Sequence, residues 1–564
     1  MAAYNGKIPG PPIVICEGDE LVVNLKNDFE PNGENTTLHF HGIGEVYTPW
    51  KDGVPWVTQY PVLPGNSFTY GFNASVFFGA PPGTYWYHSH VLDQRVNGAY
   101  GALIIKPKNI VPDERFDIDN ADNTIIVQEW YEDENNDTVR SLLINGKGRV
   151  ANDSPGYMVY NVSSENRYIF RVIGAIGQNF PLRLSIDNHN FTAIAADSKD
   201  IESVEELTDL WIASGERFDI VVQTKPRDQT QEKAYKIRVF GYENPFNQTG
   251  NFCTIAWLKY EHQEIISEFL TESDCSSFVI KDLYPYLRTL NPVPNNFDEW
   301  QKRMKFPQWT DKTIHGDIFV KDLIGKVQNP TLQLQNQSYL NTQYKEFGNE
   351  TFDNITMEYP ELPFLLQDGS YKGNRCGEVC KFTVDSAHCN PTLTYLRTSC
   401  ASKLDAEGCQ FGEPCNCSHV MQQPYAPGYW FDMILINGGV SPETAHPIHK
   451  HGGWFAVVGM DMFNRSIRVD REFIKHKDED CDNYRNHYIP CLPRNFIYPP
   501  EKDTIQVPTN GYVILRIPTN NAGTWLMHCH INWHFQKGMA MVIQLGAFHE
   551  DKNDLQKWCT KPII

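Results

Sequence analysis

The chain has 564 residues, 39 of them glycine and 36 proline, with a net charge of −20 and a pI near 5.3. That length exceeds one hydrophobic core and fits about three domains. The acidic balance argues against nucleic acid and anionic membrane surfaces as partners, and no apolar run reaches the ~20 residues a membrane helix needs.

Short alternating runs separated by glycine and proline predict β-sandwiches rather than helices. Gly18-Asp19-Glu20-Leu21-Val22-Val23-Asn24-Leu25 opens the pattern as a polar turn followed by a strand. His39-Phe40-His41 comes next, then Asp52-Gly53, a common turn pair, and then His88-Ser89-His90. Ser164 to Val172 and Glu216 to Val222 repeat the turn and strand without histidines, which predicts a middle domain serving as spacer and wall. Residues 261–310 are polar and proline-rich around Asn291-Pro292-Val293-Pro294. They read as a crossover, with a helix predicted from Gln263 to Leu270. Seven cysteines crowd between Cys376 and Cys417, a disulfide-stapled loop or, less consistently with the spacing, a zinc knuckle from Cys409, Cys415 and Cys417. Asp478 to Pro493, bounded by Cys481 and Cys491, reads as a second insertion.

The last third carries His446-Pro447-Ile448-His449-Lys450-His451 and His528-Cys529-His530, with His534 and Met539 close behind. Successive side chains of a strand alternate faces, so His528 and His530 point one way and Cys529 the other. One strand can then serve two metal sites. The four His-x-His pairs supply eight imidazoles, enough for two ligands on one metal and three on each of two others. His446 remains, and with Cys529 and His534 it makes a trigonal set with Met539 axial, a donor set that favours copper in electron transfer. A structural zinc would need one closed four-ligand shell, not twelve spaced ligands.

The ends of the chain are versions of one domain. Pro82-Gly83-Thr84-Tyr85-Trp86-Tyr87-His88-Ser89-His90 matches Ala522-Gly523-Thr524-Trp525-Leu526-Met527-His528-Cys529-His530, and Leu38 to Gly42 echoes Ile448 to Gly452. Ser89 stands where the C-terminal copy has Cys529, so only the last domain should hold a thiolate metal.

With these motifs, and with Asn5-Gly6-Lys7-Ile8-Pro9-Gly10-Pro11, Asp52-Gly53-Val54-Pro55 and Thr58-Gln59, the chain resembles the three-domain multicopper oxidases of cupredoxin fold, nearest the invertebrate-type laccases. The resemblance implies an all-β protein of three cupredoxin-like Greek-key β-sandwiches. Its expected segments are 1–110, 111–265, a 266–310 linker and 311–564. It also implies four copper ions: a type 1 copper on His446, Cys529, His534 and Met539, a type 2 copper on His39 and His449, and two type 3 coppers, one on His41, His88 and His530 and the other on His90, His451 and His528. The activity implied is one-electron oxidation of phenols at His534, whose ring edge should face a substrate pocket, coupled through Cys529 to reduction of O2 to water. A ferroxidase of the same superfamily is the alternative, with Asp209, Glu205 and Glu206 as its acids. Asp52 matches the family's proton-relay aspartate, and Asp209 aligns with the acid that accepts the phenol proton. Three departures stand out. Asn532 replaces an aspartate common in fungal laccases, Lys450 replaces an apolar residue, and Met539 implies a lower potential than an apolar axial residue would.

Twelve Asn-x-Ser/Thr sequons, at Asn35, Asn73, Asn136, Asn152, Asn161, Asn190, Asn247, Asn336, Asn349, Asn354, Asn416 and Asn464, point to a secreted glycoprotein. Met1-Ala2-Ala3-Tyr4 leads into the first domain without an apolar h-region, so a signal peptide is expected to have been removed. Thirteen cysteines besides Cys529 leave an odd one, and Cys16 is the expected free thiol, since invertebrate laccases tend to carry its partner where Tyr60 stands. The protein is expected to act as a monomer on small phenols and O2, without membrane insertion.

Overall fold

The computed structural model describes residues 2–108, 113–131, 139–148, 156–177, 181–241, 253–265, 430–437, 445–462, 499–508 and 511–545, with backbone strands at 331–336, 350–352, 355–357, 379–382 and 415–423. The described residues are almost all strand, as the alternating runs predict, and their one α-helix is the five-residue Asn532–Gln536. Most of the 266–310 crossover, the 376–417 cysteine cluster and the 478–493 insertion lie outside them. Of the helix predicted from Gln263 to Leu270, residues 266–270 lie outside the described residues; before them Glu264 forms a parallel bridge with Lys233 and Gln263 donates its side-chain amide to Gln231 O at 2.9 Å.

The chain packs as two compact units. The first comprises Met1–Leu21, Asn73–Val76 and Ala80–Leu290, the second Val22–Phe72, Phe77–Gly79 and Asn291–Ile564, so the first 110 residues are shared between them.

In the first unit a six-stranded sheet runs Lys199–Leu207, Phe191–Ala196, Arg217–Gln223, Arg167–Gly174, Thr124–Tyr131, Val139–Ile144. A five-stranded sheet, centred on Tyr235–Phe240 between Leu182–Ile186 and Cys253–Tyr260, faces it. Tyr160 from the second sheet packs its ring edge-on against Phe170 of the first, at 5.6 Å, and donates its hydroxyl to Thr124 O. Strands Gly83–His88 and Tyr100–Lys106 add Trp86, Tyr100 and Ala102 to a cluster with Ile126, Ile173 and Ala175, so the strand leading into His88 is anchored by buried aromatic area. Arg217, fully buried, donates to Thr84 O at 3.2 Å, and Thr84 donates its hydroxyl to Asp219 at 2.6 Å. Buried charge here is satisfied by partners. Cys16, exposed on the edge strand Ile13–Cys16, carries a free thiol as expected.

In the second unit Gly523–Cys529 lies between His446–Lys450 and Ala540–Leu545, antiparallel to both. All seven of its residues are buried, as a strand covered on both faces requires. His446–Lys450 pairs on its other edge with Thr504–Val507. Two glycines make close approaches possible. At Gly452, φ +73°, a Cβ would sit 2.1 Å from the Trp525 ring; at Gly53, φ +82°, it would sit 1.9 Å from Leu38 O. Beyond Gly53, Val54 and Val57 pack with Leu526, Ala540 and Val542, which locks the Asp52 turn onto the central strand.

Gly53→Ala combines a left-handed φ with a clash against backbone that cannot rotate away. It should cost about 3 kcal/mol or more of stability, read as a lower denaturant midpoint at unchanged m-value.

Candidate metal centre

Three buried donors converge in the second unit. Cys529 ends its strand, His446 begins the neighbouring one, and His534 sits on the short helix that turns the chain back. Cys529 Sγ lies 3.7 Å from His446 Nδ1 and 3.5 Å from His534 Nδ1, and the two nitrogens are 3.2 Å apart. Such spacings suit atoms sharing one ion at about 2.0–2.3 Å each. The turn is held by backbone bonds: Cys529 N donates to Met539 O, Met539 N to His534 O and His530 N to Pro447 O. Met539 is fully buried beside them. Burial alone pushes the His446 imidazole down to about 3. Burial, and then the charges of His446 and Lys537, hold His534 well below its ordinary value. Both rings are therefore neutral ligands at ordinary pH. The His534 ring is completely buried, with Trp533 edge-on at 4.3 Å.

On the opposite side of the same strand the histidines are oriented by carbonyl and carboxylate acceptors and by one hydroxyl, that of Thr504, whose own hydrogen goes to Asp503 Oδ1. With protons assigned from those partners, His39 donates from Nδ1 to Asp52 O at 2.6 Å, His449 from Nδ1 to Asp503 O at 2.9 Å, and His528 from Nδ1 to Cys529 O at 2.9 Å. His451 donates from Nδ1 to Asp52 Oδ2 at 3.0 Å. His41 is turned over, giving Nε2–H to Asp503 Oδ1 at 3.2 Å and to Thr504 Oγ1 at 2.9 Å. Each anchor leaves the other ring nitrogen as a lone-pair donor, the arrangement of metal-ligating histidines. His451 Nε2 and His528 Nε2 then face each other at 3.2 Å, lone pair to lone pair. That contact is repulsive unless a cation lies between them, so the residues fit a metal. Ligand atoms of His39, His449 and His451 fall within 4.8 Å of one another, and the His41 and His449 rings stack at 3.7 Å.

In the first unit His88 donates from Nδ1 to Ser89 O at 2.8 Å, against Trp86, and its ring lies nearly parallel to His90 at 5.8 Å. Ser89 donates its hydroxyl to Gln94 at 2.7 Å, spent on the fold. Asp209 pairs with Ser185 across strands, and its carboxylate accepts from Arg183 at 2.9 Å and from Thr208 at 3.1 Å. Glu206 accepts from Asn190.

Lys450 points away from the ligand face, as strand alternation requires. It is buried, and its ammonium donates to His451 O at 3.0 Å. Burial lowers it to about 8.

Two residues escaped sequence reasoning. Asp503 and Thr504 carry the anchors of His41 and His449, and nothing in Glu501-Lys502-Asp503-Thr504 marks them. Only the register, with Thr504 opposite His449, brings them in. Asp503→Asn should weaken copper binding about 10–100-fold, measured by titrating the metal-free protein.

Multicopper-oxidase family models match residues 1–110, 121–263 and 388–546. Laccase-24 of Oryza sativa subsp. japonica is 27% identical over 97% of this chain and 89% of its own length. Laccase-1 of Fomitopsis schrenkii is 27% identical over 99% and 84%. Among solved structures, Fet3p, a multicopper oxidase that functions in iron import, matches at TM-score 0.63 with 19% identity, covering 98% of this chain and 90% of that one. The laccase from Botrytis aclada matches at TM-score 0.61 with 21% identity, covering 98% and 86%. These two structures place the fold among the cupredoxin-like β-sandwiches.

Proposed function

We propose that this chain, which belongs to the multicopper oxidases, is a laccase-type enzyme that oxidises phenolic substrates and reduces O2 to water. The family binds copper. Our reading places four ions: type 1 on His446, Cys529, His534 and Met539; type 2 on His39 and His449; type 3 on His41, His88 and His530 and on His90, His451 and His528. Copper in these positions supplies one-electron acceptance at the thiolate site and four-electron reduction of O2 at the histidine cluster. The observation that carries the reading is the division of one strand, with Cys529 among His446 and His534 and its neighbour His528 against His451.

The residues have separate tasks. Cys529 joins the two sites through the peptide bonds to His528 and His530. Burial of His446, His534 and Met539 excludes water from the thiolate, while Asp52, fully buried, accepts from His451 at Oδ2 and fixes that ring, and we assign it the relay role. The three-domain reading, 1–110, 111–265 and 311–564 with a 266–310 linker, belongs to this proposal. So does secretion, supported by the exposed sequon residues Asn73, Asn161 and Asn190. No helix among the described residues is long and apolar enough to cross a membrane.

An iron-oxidising site would need carboxylates available to Fe2+. Asp209 is already paired with Arg183, and Glu206 holds Asn190, which favours phenols. O2 uptake by the copper-loaded protein should be fast with a methoxyphenol or hydroquinone and slow with Fe2+, and Asp209→Ala should cost roughly tenfold with phenols. Efficient turnover of low Fe2+ with sluggish phenol oxidation would reverse the assignment. Cys529→Ser should bind one copper fewer, lose the intense thiolate-to-copper absorption and stop turning over, with the histidine-bound copper still measurable by metal analysis.

A further inference from the structure

In the six-stranded sheet of the first unit, Phe170 faces the five-stranded sheet through Tyr160. Ile169, Val221 and Thr192, paired one step out of phase with it, therefore face away. That outward side carries a groove of about 550 Å³. Buried Ile194 and Val221 lie against it, while Thr192, Gln223, Arg167 and Glu205 add hydroxyl, amide, guanidinium and carboxylate groups. Apolar surface ringed by a few hydrogen-bonding groups suits a saccharide, which has C–H faces as well as hydroxyls. Asn190 also lines the groove, and it opens the sequon Asn190-Phe191-Thr192. Its place is fixed from both sides. Before it, Asn188 turns the chain at φ +57°, His189 N donates to Ile186 O at 3.1 Å, and the His189 ring pairs with the Tyr260 hydroxyl at 2.8 Å. Beside it the sheet bulges, since Phe191 pairs with Leu207 but Ala193 with Val204, three steps on one strand against two on the other. The extra residue leaves Glu206 at φ +57°, a conformation glutamate adopts rarely, with its Oε2 accepting from Asn190 Nδ2 at 2.6 Å.

We propose that Asn190 carries an N-linked glycan whose first sugars lie in this groove. The inference rests on reading the chain as secreted. In the attachment step the C1–O bond of a lipid-linked oligosaccharide pyrophosphate breaks and a C1–Nδ2 bond forms at Asn190. One amide hydrogen leaves as a proton, and the lipid pyrophosphate is the leaving group. A side-chain amide has two hydrogens, so the linked nitrogen keeps one for Glu206, and the bond that holds Asn190 survives attachment. The guanidiniums on the groove are already engaged, Arg167 with Asp117 at 2.7 Å and Arg115 with Asp113 at 2.7 Å, which favours a neutral polar occupant over an anion. A free saccharide would offer the same chemistry. The tether favours the chain's own glycan, because a sugar attached at the groove is held there at high effective concentration and needs little affinity of its own.

The test uses the full chain, made through a eukaryotic secretory route and loaded with copper. The folded protein is treated with peptide-N-glycosidase in heavy-oxygen water and its peptides are weighed. Cleavage converts a glycosylated asparagine into labelled aspartate, so occupancy and release rate are read separately at each sequon. Asn190 should be occupied, and its glycan should come off about tenfold more slowly than those on Asn73 and Asn161 because the seated sugar is exposed only a small fraction of the time. Denaturation should abolish the difference. Glu206→Ala, which removes the partner of the amide, should bring the Asn190 rate toward the other two. If that variant is not secreted, Gln223→Ala tests the groove in the same way. An empty Asn190 with Asn73 and Asn161 occupied would overturn this inference and leave secretion standing, whereas three empty sites would remove both. Equal release rates from the folded parent would eliminate the seat. Free N-acetylglucosamine disaccharide distinguishes the remaining source. It should not bind the glycosylated parent in a calorimetric titration, and equal binding to the parent and to Asn190→Gln would assign the groove to an external saccharide and end the proposal.

Discussion

The alternation of side chains along Gly523–Cys529 is the constraint on which the rest depends. Because successive residues of a strand face opposite ways, His528 and Cys529 cannot share a site, and because they are covalent neighbours they cannot be far apart. The neighbouring strand obeys the same rule. Ile448 pairs with Cys529 and His449 with His528, so His449 and His451 join His528 while His446, on the same face as Ile448, joins the thiolate.

Orientation comes from a second layer of partners. A histidine can offer either nitrogen, and a rotating ring would make a weak ligand; here the rings of His39, His41, His88, His449, His451 and His528 are fixed by N–H bonds to a carbonyl, a carboxylate or a hydroxyl. Asp52 and Asp503 divide this work. Asp52 holds His39 through its carbonyl and His451 through its carboxylate, and Asp503 holds His449 and His41 in the same two ways. Gly53 lets the Asp52 turn come close to the backbone of Leu38 and His39.

Burial sets the electrostatics. Removing imidazoles from water disfavours their charged forms, so His446, His449 and His534 are all shifted down and stand ready as neutral donors. The same desolvation acts oppositely on Glu45 and pushes its carboxyl up to about 8.

The sequence by itself determined the all-β class, the repeat between the two ends and the histidine, cysteine and methionine ligands, because period-two patterning and metal-donor chemistry are local and survive in the order of residues. Asp52 was legible for a related reason, since it sits in a motif beside its histidines. Tertiary structure alone decided what depends on strand pairing and enclosure. Asp503 and Thr504 become anchors only through the register that sets Thr504 opposite His449. Glu45 in the sequence is an ordinary acidic residue before an exposed tyrosine. Its upward shift is a consequence of burial, which no spacing of residues records.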